Sequence, residues 1–117
     1  MAGVMIQKLK KRIKDEYEVA EYYYKLLSSL NDLKLTEREV QLVAFMAIHK
    51  AIAYSEMKSR FCERYNGTSE QTISNMISRL KKKRVIIKEK GKLKVNPEIA
   101  LSFAEGIILQ ITLINGI

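Results

Sequence analysis

The segment Thr36–His49, TEREVQLVAFMAIH, leaves the chain the least choice of fold. Thr36 is followed three residues later by Glu39, a reciprocal pair in which each side chain satisfies the other's free backbone N–H, so a helix starts here. From Val40 to Ile48 nearly every residue except Gln41 is apolar. A helix apolar almost all the way round is buried on more than one side. It must therefore lie at the centre of the core, with other elements against both flanks. A chain of 117 residues has room for one such core and not for two.

The flanking segments supply those other elements. Residues 5–30 place Ile6, Leu9, Ile13, Tyr17, Ala20, Tyr24, Leu27 and Leu30 at gaps of three and four, the stripe of one long helix. Ile6, Ile13, Ala20 and Leu27 also stand seven apart, which suits a seam with a second chain as well as a helix lying across its own domain. The basic cluster Lys8–Arg12 and the acidic stretch Asp15–Glu21 behind it form the pattern of a solvated face. Residues 55–65 read as a short helix with Ser55 as its N-cap and Met57, Phe61 and Tyr65 turned inward. Asn66-Gly67 ends it, because both residues tolerate positive φ.

A further helix follows at once in TSEQTISNMISRLKKKR, with Thr68 and Gln71 spaced as a capping box. Ile73, Met76, Ile77 and Leu80 form its buried stripe, which leaves Glu70, Gln71, Thr72, Asn75, Ser78, Arg79 and Lys82 outside. The period then changes. VIIKEKGKLKVNP has β-branched residues, a turn candidate at Lys90-Gly91 and a terminating proline, and so reads as a hairpin with Ile86 opposite Val95 on the core side. Pro97 and Glu98 suit the first turn of a C-terminal helix, carried on by Ile99, Phe103 and Ile107. The closing GIILQITLINGI alternates as a strand would and also continues that helix; it is apolar enough to need cover from the first helix, a second copy or another protein.

Charge is distributed unevenly over this frame. Arg79–Lys94 holds nine basic residues and one acid, so this segment alone accounts for the net charge of +8 while the remainder is neutral. A neutral body with one basic edge presents that edge to a polyanion. Gln71 and Asn75, one turn apart, carry amides that match the donor and acceptor pattern of adenine in the major groove, and Thr72 suits a thymine methyl or a phosphate. Ser69 at the helix start, with Arg79, Lys81, Lys82, Lys83, Arg84, Lys88, Lys90, Lys92 and Lys94, supplies backbone contacts. Six phosphate contacts would give a salt slope of about −5 in log K.

Two stretches carry a family resemblance. SEQTISNMISRL (69–80) resembles the recognition helix of winged-helix regulators, with a Ser/Thr cap, a short polar run and an apolar residue before Arg-Leu. KKKRVIIKEKGKLKVNPEI resembles their wing, and its ending VNPEI is similar to wings of plasmid and phage replication-initiation proteins of this class. The resemblance covers residues 36–98. It implies a winged helix-turn-helix over 35–97, mainly α with a small β-hairpin; the first 30 residues and the last 20 lie outside the resemblance, and their own periodicity adds an N-terminal helix in 1–34 and an apolar C-terminal helix or tail in 98–117. The function it implies is sequence-specific binding of double-stranded DNA through a recognition helix (68–84) and a basic wing (85–96), in transcription regulation or replication initiation. The spacing in residues 5–30 and the apolar tail in 98–117 add the expectation of a homodimer through the N- and C-terminal helices. The alternative is a winged-helix interaction module within a larger transcription, replication or phage assembly.

Other classes find little support. Cys62 is the sole cysteine, so no internal disulfide forms and a reducing, cytoplasmic setting is expected. MAGVMIQKLKKRIKDE lacks the apolar run and cleavage site of a signal peptide, and no stretch approaches about 18 consecutive apolar residues, so no membrane span is expected. His49 has no Cys, His or Asp at ligand spacing and reads as a structural or surface residue rather than a metal ligand. Cys62 reads as a buried or half-buried thiol, and Tyr22, Tyr23 and Tyr24 as packing residues. No Gly-rich phosphate loop, paired catalytic carboxylates or Ser/His/Asp set assembles, so neither an enzyme nor a cofactor is expected.

Overall fold

The computed structural model of the chain describes residues 15–100. Four helices and three short strands follow in the order α1 (Glu16–Leu30), α2 (Glu37–His49), β1 (Ile52–Ala53), α3 (Tyr54–Arg64), α4 (Glu70–Lys82), β2 (Ile86–Glu89) and β3 (Lys92–Val95). The architecture is mainly helical with a small antiparallel sheet of order β1-β3-β2.

The central helix lies where its composition requires. Leu42, Val43, Ala44, Phe45 and Met46 of α2 are all buried, and α1, α3 and β3 pack around it. Thr36 and Glu39 form the full capping box: Glu39 Oε1 accepts from the Thr36 N–H at 2.9 Å and Thr36 Oγ1 from the Glu39 N–H at 3.1 Å. α1 crosses α2 with Ala20 and Tyr24 buried, and the Tyr24 hydroxyl donates to the Ile99 carbonyl at 2.9 Å. Asp15 caps it by accepting from the Glu18 N–H. Leu30, expected on the inner stripe, is 55% exposed, because the helix ends there and the chain turns away through Asn31 and left-handed Asp32.

A polar and aromatic clasp holds α1 to α2 and α3. The Tyr17 hydroxyl and His49 Nε2 are 2.8 Å apart, the His49 ring packs on Phe45 at 4.2 Å, and the Arg64 guanidinium lies 3.6 Å over the Tyr17 ring. The Tyr65 hydroxyl donates to Glu21 at 3.3 Å. His49 is thus a half-buried structural residue, and Tyr24 packs in the core while Tyr22 is 41% exposed. The half-buried Cys62 thiol donates to the Thr68 carbonyl at 3.2 Å.

Three local expectations need correction. α3 starts at Tyr54 with Ala53 at its N-cap and no side-chain cap, so Ser55 lies inside the first turn and does not cap. The reason is β1: Ile52 and Ala53 pair with Leu93 and Lys92, and the helix begins as soon as that pairing releases the chain. Two-residue β1 itself escaped the sequence reading, since so short a strand has no period to detect. At α4 the cap is Ser69, whose Oγ accepts from the Thr72 N–H at 3.1 Å; Thr68 with Gln71 makes no capping box, and the buried Thr68 Oγ1 has no partner among the described residues. The helix expected over 68–84 therefore runs from Glu70 to Lys82.

The hairpin matches its expected register, with Ile86 opposite Val95 and Glu89 opposite Lys92. Lys90 (φ 53°) and Gly91 (φ 77°) are both left-handed, as a two-residue turn of the I′ type requires. Asn96 locks the hairpin base, its N–H donating to Val85 and its side chain to the Arg84 carbonyl, each at 2.9 Å. Pro97–Ile99 form a turn closed by Ile99 N–H on the Asn96 carbonyl at 2.9 Å. The helix or strand expected after residue 100, the stripe at Ile6, Leu9 and Ile13, the cluster Lys8–Arg12 and most of the proposed dimer seam lie outside the described residues.

Candidate nucleic-acid interface

Helix α4 separates its faces as its sequence spacing dictates. Ile73, Met76, Ile77 and Leu80 are buried, while Glu70, Gln71, Thr72, Asn75, Ser78, Arg79 and Lys82 are all exposed. The pitch of α4 is set from below by α3, where the Tyr54 hydroxyl bonds Ser74 Oγ at 2.7 Å and the Lys58 ammonium lies 4.5 Å over the Tyr54 ring. On the outer face Gln71 Nε2 donates to Asn75 Oδ1 at 3.1 Å. The two amides thus form one linked unit, which leaves Gln71 Oε1 as an acceptor and the Asn75 amino group as a donor. Ser69 Oγ also lies 2.8 Å from Thr72 Oγ1, so both hydroxyls are oriented by the cap.

The basic residues fall into four groups. Arg79 donates through Nε to Glu39 Oε2 at 3.2 Å, with the guanidinium side chain 52% exposed and the carboxylate 2% exposed. Burial pushes the Glu39 carboxyl up, but the Thr36 N–H and the Arg79 guanidinium outweigh it and hold the group below the usual carboxylate range. Lys83 reaches the Leu33 carbonyl at 2.7 Å, so the end of α4 is tied to the α1–α2 loop. Lys81, Lys82 and Arg84 are exposed at the same helix end.

Strand alternation splits the remaining group. Lys88, opposite Leu93, lies on the sheet face that carries Ile86, Leu93 and Val95. Lys92 and Lys94 lie on the other face with Ile87 and Glu89. Lys94 Nζ pairs with Glu89 at 3.0 Å and is partly covered, whereas Lys88, Lys90 and Lys92 are exposed. Of the residues singled out from sequence, Gln71, Thr72 and Asn75 form one face, and Ser69 marks its start. Arg79, Lys81, Lys82, Lys83 and Arg84 mark its end, and the hairpin follows directly.

Glu39 was missed as a partner of this face. Its capping role is legible from Thr36, but a residue 40 positions from Arg79 gives no local signal of the ion pair. Elsewhere, a groove of about 410 Å³ between α1 and α2 is lined by Glu18, Glu21, Tyr22, Lys25, Leu35, Glu37 and Val40. Its three carboxylates against one ammonium make it the wrong sign for a polyanion. Among the described residues no group of His, Cys, Asp or Glu is placed to hold a metal ion, and no helix is long and apolar enough to cross a membrane. Comparison of the chain with protein-family models, curated proteins and solved structures found no match.

Proposed function

We propose that the protein is a winged helix-turn-helix module that binds double-stranded DNA, with α3 and α4 as the helix pair, α4 in the major groove and the β2–β3 hairpin as the wing. The observation that carries this reading is the outer face of α4: a linked Gln71–Asn75 amide pair and Thr72, bounded by a cluster of exposed cations. In such motifs the second helix enters the major groove and reads bases with its exposed side chains. The Gln71–Asn75 pair offers an acceptor and a donor side by side, the complement of an adenine edge, and each bidentate contact of this kind is worth about 1–3 kcal/mol of discrimination. Lys81, Lys82, Lys88, Lys90 and Lys92 hold the phosphates. Arg79 serves as a positioned contact, because its ion pair with buried Glu39 limits its rotamers. The biological role that fits is regulation of transcription or initiation of replication.

Fluorescence-anisotropy titration of labelled random-sequence duplex at two salt concentrations tests the reading. The expected result is micromolar binding that weakens steeply with salt, with a flatter slope in the Lys81/Lys82/Lys83 triple-alanine variant. A selected site should then lose its advantage over random duplex in the Q71A/N75A double variant. Absence of binding at low salt overturns the proposal and assigns the basic edge to an acidic protein partner.

A further inference from the structure

Five non-glycine residues among the described ones have positive φ: Asp32 (φ 52°), Lys34 (φ 56°), Lys50 (φ 58°), Arg84 (φ 60°) and Lys90 (φ 53°). Four of the five are cations. In this region a Cβ crowds the following carbonyl oxygen, so glycine is the usual occupant, with asparagine and aspartate tolerated for their short bonding side chains. Lysine and arginine offer the backbone neither advantage. Such outliers gather at functional positions.

Arg84 shows this most clearly. It occupies the position just past the C-terminus of α4, where glycine is strongly favoured. The helix end is already closed by backbone alone: the Arg84 N–H donates to the Lys81 carbonyl and the Val85 N–H to the Leu80 carbonyl, each at 3.0 Å. Glycine would make both bonds without strain, so the arginine side chain contributes nothing to capping that the backbone does not supply. That side chain is exposed.

Lys34 lies in the α1–α2 loop, 50 residues from Arg84 and outside the basic run of the sequence. Lys83 links that loop to the end of α4. Its ammonium donates to the carbonyl of Leu33, the residue before Lys34, at 2.7 Å, and Arg84 is the residue after Lys83. One of the three ammonium donors is used on Leu33, leaving two for an anion. Lys34 is itself exposed.

We infer that Lys34, Lys83 and Arg84 form a phosphate-binding cluster where the α1–α2 loop meets the end of α4, and that it holds a backbone phosphate of the duplex. This rests on the DNA-binding reading above and extends the interface to a loop that carries no basic run. The Lys83–Leu33 bond ties the residue before Lys34 to the helix end that Arg84 follows, and all three cations are exposed.

Glycine substitution separates this role from the fold, because glycine keeps the backbone conformation and removes only the side chain. The variants are Lys34→Gly, Arg84→Gly and the double, with Lys25→Ala on α1 as a control for loss of one positive charge elsewhere. Anisotropy titration against random duplex at several salt concentrations should show each single glycine variant weakened and the double weakened roughly tenfold at 0.1 M salt, with the log–log salt slope of the double reduced by about 0.9, one phosphate contact. Thermal melting of each should be unchanged or raised, and Lys25→Ala should keep the native slope. If the native chain binds duplex and the glycine variants bind with the same affinity and slope, the cluster is overturned and the DNA-binding reading stands. If their melting temperatures fall, the two residues serve the fold and the inference is again overturned. A native chain that does not bind duplex overturns both.

Discussion

Replacing Glu39 with alanine tests how the outer face of α4 is held to the core. Glu39 is 1% exposed and has two tasks: Oε1 accepts from the Thr36 N–H at 2.9 Å, and Oε2 accepts from Arg79 Nε at 3.2 Å. Losing the cap contribution costs about 1 kcal/mol. The Arg79 bond is charge-assisted, but its guanidinium is half exposed, so solvent screening reduces it to roughly 0.5–1 kcal/mol. Removing Glu39 strands no buried cation, which keeps the total near 2 kcal/mol rather than the larger loss expected when a fully buried pair is broken. At about 4–8 °C per kcal/mol for a domain of this size, the melting temperature should fall by roughly 10 °C. Urea unfolding at pH 7 of the native chain, E39A, R79A and E39A/R79A should give a coupling energy of about 0.5–1 kcal/mol between the two sites. The pH dependence adds an independent signature. The folded carboxyl titrates below its unfolded value of about 4.3, so its stabilisation is fully present above that pH and disappears as pH falls through the folded value. E39Q keeps an acceptor for Thr36 and should lose less stability than E39A at pH 7, with a flatter acid limb. An E39A midpoint equal to the native one, or additive single and double variants, would refute the reasoning.

Three further outcomes follow from the packing. His49 is the sole histidine, and burial, with Arg60 and Arg64 nearby, outweighs Glu16 and Glu56 to push its pKa below the ordinary value. Its contribution to stability is therefore complete above about pH 6.5 and is lost as pH falls towards the folded value; a histidine ring titration by NMR with a midpoint above 6.5 would contradict this. Phe61 is fully buried between Phe45 at 5.6 Å and Tyr65 at 4.7 Å, so Phe61→Ala should cost about 3–5 kcal/mol in chemical denaturation, and a loss under about 1 kcal/mol would place Phe61 outside the core. Gly91→Ala should cost about 1–2 kcal/mol from its φ of 77° alone, because open space surrounds the added Cβ; an unchanged unfolding midpoint would mean the turn adopts another conformation.

Most of the helical frame was legible because it is written in local terms. The Thr36–Glu39 cap, the all-round apolar run of α2, the inner stripe of α4 and the Lys90-Gly91 turn each depend on residues within a few positions of one another. Periodicity and capping chemistry act over that range. The same locality exposed the candidate site: the polar residues of α4 appear outside because Ile73, Met76, Ile77 and Leu80 must lie inside. The misplaced caps at α3 and α4 show the limit. Ser55 and Thr68 have the right chemistry for an N-cap, but the start of α3 is set by β1 pairing with β3, and Ser69 stands one residue nearer the helix that Thr68 was expected to begin.

By itself, then, the sequence determined which of the described segments are helices, where the hairpin turns, and that one edge of an otherwise neutral chain is basic. Only the tertiary structure decided how that edge is organised. It joined Arg79 to a carboxylate 40 residues away, tied Lys83 to the α1–α2 loop, and paired Lys94 with Glu89. Charge type is a property of each residue, but a cation's partner depends on which surfaces packing brings together. Local patterns carry no record of a contact made across the core.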